Sequence, residues 1–267
     1  MKTLRIEGVW IAKAPIHHGG DEKTGSETML RRMKFIVGNK ILEIPYISGN
    51  AIRGVLRRLA VQDLLERVSY RIKEMRLYHA LFSGGVLESV EEEGIIDLEL
   101  RKRIRNLLIP ISLFGFAYKN QVLEGKLVVS HALPFCKELN EYLPQSSSVS
   151  IYELLDWEFA TRKEEIRSSE EKPEQPVQMI YRYEVFIPGT RFYHYFVLMD
   201  TTEVEEAFFH HLLRLWAERP FVAGRSASGL GKIEFSYRHS LPDPRIYLEF
   251  VEEKKDEIVA LLQELDS

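Results

Sequence analysis

The stretch IPYISGNAIRGVLRRL, residues 44–59, decides the fold. Pro45 and Gly49 interrupt a short extended segment, and Ser48 or Asn50 can cap the helix that follows. In that helix, apolar residues recur at positions i, i+3, i+4 and i+7, and they are Ile52, Val55, Leu56 and Leu59. This spacing predicts an amphipathic helix with one buried stripe.

The same helix carries two arginines on another face. Arg53 and Arg57 are four residues apart near the helix start, where backbone N–H groups have no partner within the helix. Two guanidinium groups beside a helix N-terminus suit an anion. The stretch therefore predicts a phosphate site, although a solvated basic face on an ordinary amphipathic helix explains it equally well.

Length and composition describe an ordinary globular protein. The 267 residues contain 45% hydrophobic and 28% charged side chains, which is enough for a sizeable core. The single cysteine, Cys136, excludes an internal disulfide and a cysteine-based zinc site. Because there is no apolar run of membrane-spanning length and no signal-peptide pattern, we expect a cytoplasmic protein with no membrane partner.

The net charge of −4 is unevenly distributed. Residues 51–78 contain seven basic and three acidic side chains, whereas residues 246–267 contain two lysines and seven acids. A basic surface can thus coexist with an acidic total, and a bound phosphate responds to the local potential.

The pattern along the chain predicts an α+β fold. Strands are expected at about 4–13, 125–131, 181–199 (a strand pair or one bent strand) and 231–237, and helices at 50–68 and 203–218. The order βαββαβ is that of a ferredoxin-like (RRM-like) domain. We expect one domain over residues 1–267 with a helical insertion at 69–124, a polar insertion at 132–180 and a C-terminal helix at 246–267.

Four stretches resemble one protein family. Residues 44–57 are similar to the signature I-P-G-S-S-L-K-G-x-L-R, and Leu113-Phe114-Gly115 with residues 125–129 is similar to L-F-G…G-x-L-x-V-x-D. Residues 184–192 resemble E-x-V-x-x-G-T-x-F, and residues 220–232 resemble a glycine-rich loop. In this order they resemble the RAMP superfamily of CRISPR-associated proteins, in particular the backbone subunits of type IV or type III-like effector complexes.

The resemblance implies an RNA-binding protein without cofactor, metal or catalytic residue. Its implied partners are guide RNA (crRNA), other copies of the chain, other effector subunits and a target nucleic acid that pairs with the guide. Polar residues in the signature and the glycine-rich loop would bind RNA, and the insertion 132–180 would form the family's thumb hairpin, with Thr161 and Arg162 at its base. The expected RNA-binding residues are Ser48, Asn50, Arg53, Arg57, Thr161, Arg162, Gly224, Arg225 and Ser226.

This chain also departs from the family pattern. Tyr46 and Ala223 stand where glycine is common, and His131 stands where aspartate is common. RNA-cleaving backbone subunits have an aspartate before the signature, and the corresponding residue here is Glu27. Its longer side chain would shift the carboxylate, so cleavage is not the first expectation.

Two alternative functions remain open. A metal-dependent endoribonuclease could use Glu27 or Asp21 against target RNA. A guide-processing ribonuclease could use His17 or His18 as a general base. The glycine-rich loop is not a P-loop, because Leu230 stands where that motif requires lysine and a strand follows instead of a helix.

Overall fold

The computed structural model describes residues 2–24, 27–85, 97–119, 121–163 and 178–267. In chain order the strands are β1 (Thr3–Ala12), β2 (Gly19–Thr24), β3 (Glu27–Leu30), β4 (Arg32–Val37), β5 (Lys40–Pro45), β6 (Phe116–Tyr118), β7 (Gln121–Leu123), β8 (Leu127–Val129), β9 (Leu133–Pro134), β10 (Leu155–Lys163), β11 (Gln178–Phe186), β12 (Arg191–Met199) and β13 (Ile233–Arg238). The helices are α1 (Gly49–Arg67), α2 (Met75–Ser83), α3 (Leu98–Leu107), α4 (Ile109–Phe114), α5 (Glu203–Glu218), α6 (Arg245–Glu253) and α7 (Lys255–Leu265).

The core is an antiparallel sheet in the order β13-β1-β12-β8, with β9 also paired to β12. If these four strands are numbered by their place in the βαββαβ unit, the order is 4-1-3-2, and α1 and α5 are the two helices of that unit. The α+β, ferredoxin-like fold predicted from the sequence is therefore confirmed.

Alternating hydrophobicity places one face of this sheet against the helices. On β1, Ile6 and Trp10 are fully buried, and the Trp10 ring meets Trp216 of α5 with ring centroids 5.2 Å apart. Helix α5 begins with a capping box in which Thr202 and Glu205 bond each other's backbone N–H groups. Burying each such large side chain contributes about 1.5–3 kcal/mol to folding.

The predicted strand region 181–199 is two strands in different sheets. β12 is central in the core sheet, whereas β11 pairs with β10 and β3 in a second sheet, ordered β10-β11-β3-β2. Residues 187–190 form the turn between them, and Gly189 has a φ of 91° there. The second sheet therefore joins the hairpin β10–β11 to the segment that precedes α1.

The predicted C-terminal helix is two helices. α6 ends at Glu253, Lys254 has φ −99° and ψ 9°, and α7 begins at Lys255. The chain end is held in place by Asp266, whose carboxylate accepts hydrogen bonds from the backbone N–H groups of Lys73 and Glu74. The break lets α6 pack on α5 and α7 pack on α3.

Both expected insertions extend partly outside the described residues. Of 69–124, the described part contains α2, α3, α4 and the hairpin β6–β7; residues 86–96 are not described. Of 132–180, the described part contains the hairpin strands β10 and β11, but not residues 164–177. None of the helices in the described ranges combines the length and the apolar character that crossing a bilayer requires.

Candidate nucleic-acid interface

The start of α1 is capped by groups of the chain itself. Ser48 is the N-cap and its hydroxyl accepts from the Ala51 N–H at 3.2 Å, while the Gly49 N–H donates to His131 Nδ1 at 2.9 Å. Ser48 is 7% exposed, whereas Asn50 is exposed. Because two of the first N–H groups have acceptors within the chain, the open anion site expected at the helix start is largely filled.

The arginines of α1 bind backbone carbonyls. Arg53 donates to the carbonyl oxygens of Phe114 at 2.6 Å and Leu127 at 2.7 Å. Arg57 donates to the carbonyl oxygens of Phe114 at 2.6 Å and Gly115 at 2.9 Å, and Arg57 is only 6% exposed. These contacts use donors of both guanidinium groups inside the protein, so they do not support phosphate binding by Arg53 and Arg57, which stays a prediction.

The physical reason lies in the end of α4. A helix leaves its last carbonyl groups without partners and carries partial negative charge there, so cations are favourable at that end. Phe114 is the last residue of α4, and Gly115 follows it with a φ of 64°. Burial lowers the pKa of both arginines, that of Arg57 to about 10 with Arg53 as a second cause. The pair thus joins α1 to α4.

The glycine-rich loop is exposed and has unusual backbone geometry. Residues 224–229 are solvent-exposed, and Ala223 and Arg225 have φ values of 61° and 66°. The Arg225 guanidinium lies over the ring of Tyr183 on β11, 3.7 Å from its centroid. Gly231 is required where it stands, because a Cβ there would lie 2.2 Å from the Val222 carbonyl oxygen. This loop therefore offers Gly224 and Ser226 to solvent beside a fixed cation.

A series of contacts connects this loop to the start of α1. Tyr183 lies against His17, with ring centroids 5.4 Å apart, and His17 Nδ1 donates to the Glu184 carbonyl oxygen at 2.8 Å. The next residue, His18, is hydrogen-bonded through Nε2 to the Ser48 hydroxyl at 3.1 Å. We call Arg225, Tyr183, His17, His18 and Ser48 the loop–helix cluster. It brings together two of the predicted regions, the helix start and the glycine-rich loop.

The electrostatics of this cluster are positive. Burial lowers the pKa of His17, and the charge of Arg225 lowers it further. Burial lowers the pKa of His18 to about 4, with the charge of Arg31 as the next cause. Both imidazoles are therefore neutral at neutral pH and can take part in hydrogen bonds, while the arginines supply the charge that a polyanion requires.

The hairpin β10–β11 extends from this cluster. Thr161 is exposed and pairs with Ile180, three positions from Tyr183, or about 10 Å along the strand. Arg162 lies on β10, and its side chain is outside the described part. One face of the hairpin presents Arg182, whose guanidinium lies 4.8 Å from the Trp157 ring and 5.5 Å from the Phe159 ring.

Of the two candidate catalytic carboxylates, the structure describes that of Glu27. Glu27 is on β3 and forms an ion pair with Arg182 at 2.7 Å, and the Asp21 side chain lies outside the described residues. Among the residues that the structure describes, no group of three or more His, Cys, Asp or Glu side chains could hold a metal ion.

Tyr183, a member of the cluster, and Arg31, whose charge acts on His18, are not among the RNA-binding residues expected from the sequence. Tyr183 was visible as an aromatic residue at the end of the polar insertion, and Arg31 follows the loop that contains the two histidines. Neither has a sequence spacing that links it to the signature. Their place depends on the parallel pairing of β11 with β3, which only the fold reveals.

Comparisons with known proteins agree with this architecture. The family model of the RAMP superfamily matches residues 15–234. A solved structure described as a "Type IV-B CRISPR Complex" is similar to this chain, with 28% sequence identity and a TM-score of 0.65. The similarity covers 91% of this chain and 96% of that one. No curated protein matches the sequence.

Proposed function

The chain belongs to the RAMP superfamily, and we propose that it is a backbone subunit of a CRISPR effector complex. In this proposal it acts in the cytoplasm and binds guide RNA without reading its sequence. Several copies lie head to tail along one guide and present its bases to a target nucleic acid. The similarity to a chain of a Type IV-B CRISPR complex, over nearly the full length of both, supports an assembly with other effector subunits.

The loop–helix cluster is the observation that carries the proposal. It joins the exposed glycine-rich loop to the start of α1 through Arg225, Tyr183 and two neutral histidines. Exposed backbone N–H groups and one fixed cation contact phosphates without distinguishing bases. RNA binding in this proposal therefore depends on Arg225, Ser226, Gly224 and Asn50 rather than on Arg53 and Arg57.

In this proposal the bound RNA continues from the loop–helix cluster along the hairpin β10–β11. The face of the hairpin opposite the Tyr183 side chain carries Trp157, Phe159 and Arg182, and Phe159 is 62% exposed. Aromatic rings and guanidinium planes on such a face stack on unpaired bases. A guide crossing the cluster would meet this hairpin next. A contact between different faces of successive copies, which does not close into a ring, would continue as an open helix.

RNA binding by the purified full-length chain tests the proposal. We expect the protein to co-purify with RNA as a large, heterogeneous particle. We expect Arg225→Ala to weaken guide RNA binding and to reduce the salt dependence by about 0.7 in log K per log salt, as one lost phosphate contact requires. Arg245→Ala is the matched control, since Arg245 is exposed and paired with Asp243 at 2.8 Å on α6. A protein that purifies as an RNA-free monomer and does not bind added guide RNA would refute the proposal.

We also propose that the subunit does not cleave target RNA. The Glu27 carboxylate is committed to Arg182, and releasing it to bind a metal would leave that arginine without its partner on β3. The assembled complex, incubated with complementary RNA and Mg²⁺, should leave the RNA intact, and Glu27→Gln should change nothing. Cuts at regular intervals that disappear in Glu27→Gln would show the opposite.

A further inference from the structure

The core sheet has a second face, opposite α1 and α5. On β12, Phe192, Phe196 and Leu198 are fully buried, and the Phe196 ring meets Phe209 of α5 at 5.0 Å. The residues between them point the other way. On β12 these are Arg191, Tyr193, Tyr195 and Val197, and on β1 they include Arg5, Glu7, Val9 and Ile11, all exposed or partly exposed. We call this surface the open face.

Aromatic rings and a guanidinium alternate at the centre of the open face. Arg5 lies over the Tyr195 ring, 3.9 Å from its centroid, and donates to the Tyr193 hydroxyl at 2.9 Å. The two tyrosine rings are 6.0 Å apart. Arg5 is also paired with Glu7, yet its side chain is 51% exposed. The guanidinium group is thus held over a ring while its side chain stays half exposed to solvent.

The charge of the open face is opposite to that of the whole chain. Arg5, Arg191 and Arg238 are exposed there, and Arg238 lies opposite Glu7 in the register of β13 with β1. The second acid at this edge, Glu234, forms an ion pair with Lys13 at 2.6 Å. The face therefore carries a positive excess on a protein whose net charge is −4. A polyanion is the partner that this excess favours.

We propose that the open face binds a second single-stranded polynucleotide segment by stacking bases on Arg5, Tyr193 and Tyr195. In a four-stranded sheet of this topology, aromatic residues on the two central strands form a stacking platform for two or three bases, and here those strands are β1 and β12. Stacking on aromatic and guanidinium planes tolerates any base, so the ligand is a single strand of any base sequence.

This site is separate from the loop–helix cluster. The cluster lies beyond the C-terminal end of β1, where Gly231 N–H donates to the Pro15 carbonyl oxygen. Arg5 is seven residues before Ala12, the last residue of β1, which is about 23 Å along a strand. One strand could therefore occupy the cluster while another segment lies on the open face, so the inference goes beyond the proposed function and does not require it.

The test uses the full-length chain and a fluorescein-labelled oligouridylate of about 15 nucleotides. We expect the double variant Arg5→Thr/Tyr195→Thr, which keeps good strand formers on the sheet, to bind this probe about 5- to 150-fold more weakly by fluorescence anisotropy. Ser236→Thr, an exposed change on the edge strand of the same face, should bind as the parent does. Thermal melting of each variant shows whether the fold is retained.

Ultraviolet cross-linking locates the bound probe. Cross-links to the peptide that contains Tyr193 and Tyr195, retained in Arg225→Ala, would support the open face whether or not the loop–helix cluster binds guide RNA. Cross-links confined to residues 223–231, or equal affinity in the folded double variant, would overturn it. The proposal would also be overturned if the chain self-associates without RNA and the double variant does not, because the open face would then be a contact between copies of the chain.

Discussion

Replacing Arg57 by methionine separates the two roles that this residue could have. The structure uses its guanidinium group on the Phe114 and Gly115 carbonyl oxygens, and more weakly on Leu81 at 3.3 Å. A hydrogen bond from a charged donor contributes about 1.5–3 kcal/mol, and a buried acceptor left alone costs about 1–3 kcal/mol. Arg53 still serves Phe114, and methionine keeps the apolar packing of the side-chain stem.

The charged group also carries a burial penalty, visible in its pKa of about 10, and removing it recovers part of the loss. We therefore expect Arg57→Met to lower the free energy of unfolding by about 2 to 3 kcal/mol. For a domain of this size the melting temperature should fall by about 4–12 °C.

Denaturant unfolding and calorimetry measure this loss of stability. RNA titrations at several salt concentrations measure the alternative role of Arg57, a contact with an RNA phosphate. Arg58→Met is the matched control, because Arg58 is the neighbouring residue of α1 and is exposed; its cost should stay within about 0.5 kcal/mol. The salt dependence of RNA binding should be unchanged in both variants. A stable Arg57→Met protein whose salt dependence drops by about 0.7 would refute the reasoning, since that is the signature of a lost phosphate contact.

Two further predictions concern buried groups. Burial lowers the pKa of His194 to about 3, below the unfolded value near 6.5, so the unfolded state takes up the proton first and stability falls as the pH drops below about 6.5. His194→Phe should reduce the slope of the unfolding free energy between pH 6 and 5 by about 1.2 kcal/mol per pH unit, and an unchanged slope would count against this. Gly231→Ala places a Cβ 2.2 Å from the Val222 carbonyl oxygen at a φ of 83°, so it should lower the free energy of unfolding by more than about 2 kcal/mol, as measured by thermal melting. Gly224→Ala, whose Cβ would meet nothing within 4 Å, should melt like the parent.

The order of the core elements could be predicted because each has a local period. β1 alternates, and the helices 49–67 and 203–218 carry apolar residues at helical spacing that fold onto the sheet. The capping residues Ser48 and Thr202 mark both helix starts in the sequence. Local signals of this kind depend on neighbours within about four residues, and the fold has to satisfy them wherever the chain goes.

The partners of side chains on those elements could not be predicted in this way. Helical spacing shows that Arg53 and Arg57 share a face, but it does not say what that face meets. Their shared acceptor, the Phe114 carbonyl oxygen, lies 57 residues after Arg57 and 61 after Arg53, at the end of a six-residue helix, and the Leu127 carbonyl oxygen lies 74 residues after Arg53. A pair of arginines beside a helix N-terminus suggests an anion, and here the negative partner is the carboxyl end of another helix. Sequence spacing likewise does not predict the contact between Tyr183 and the glycine-rich loop, because that contact depends on how β11 is placed.

The four stretches that resemble the family divide into two pairs with different tasks. The signature contacts the L-F-G segment and its following strand through Arg53 and Arg57, which builds the support behind α1. In the second pair, Arg225 of the glycine-rich loop lies over Tyr183, the residue just before the third stretch, and His17 donates to the Glu184 carbonyl oxygen at the start of that stretch. Arg225, which is exposed, gives this region its positive charge. Changes in the first pair should therefore affect stability before they affect RNA binding, and changes in the second pair should do the reverse. A slightly acidic chain can bind a polyanion under this arrangement, because the arginines that face solvent are not the ones that hold the core together.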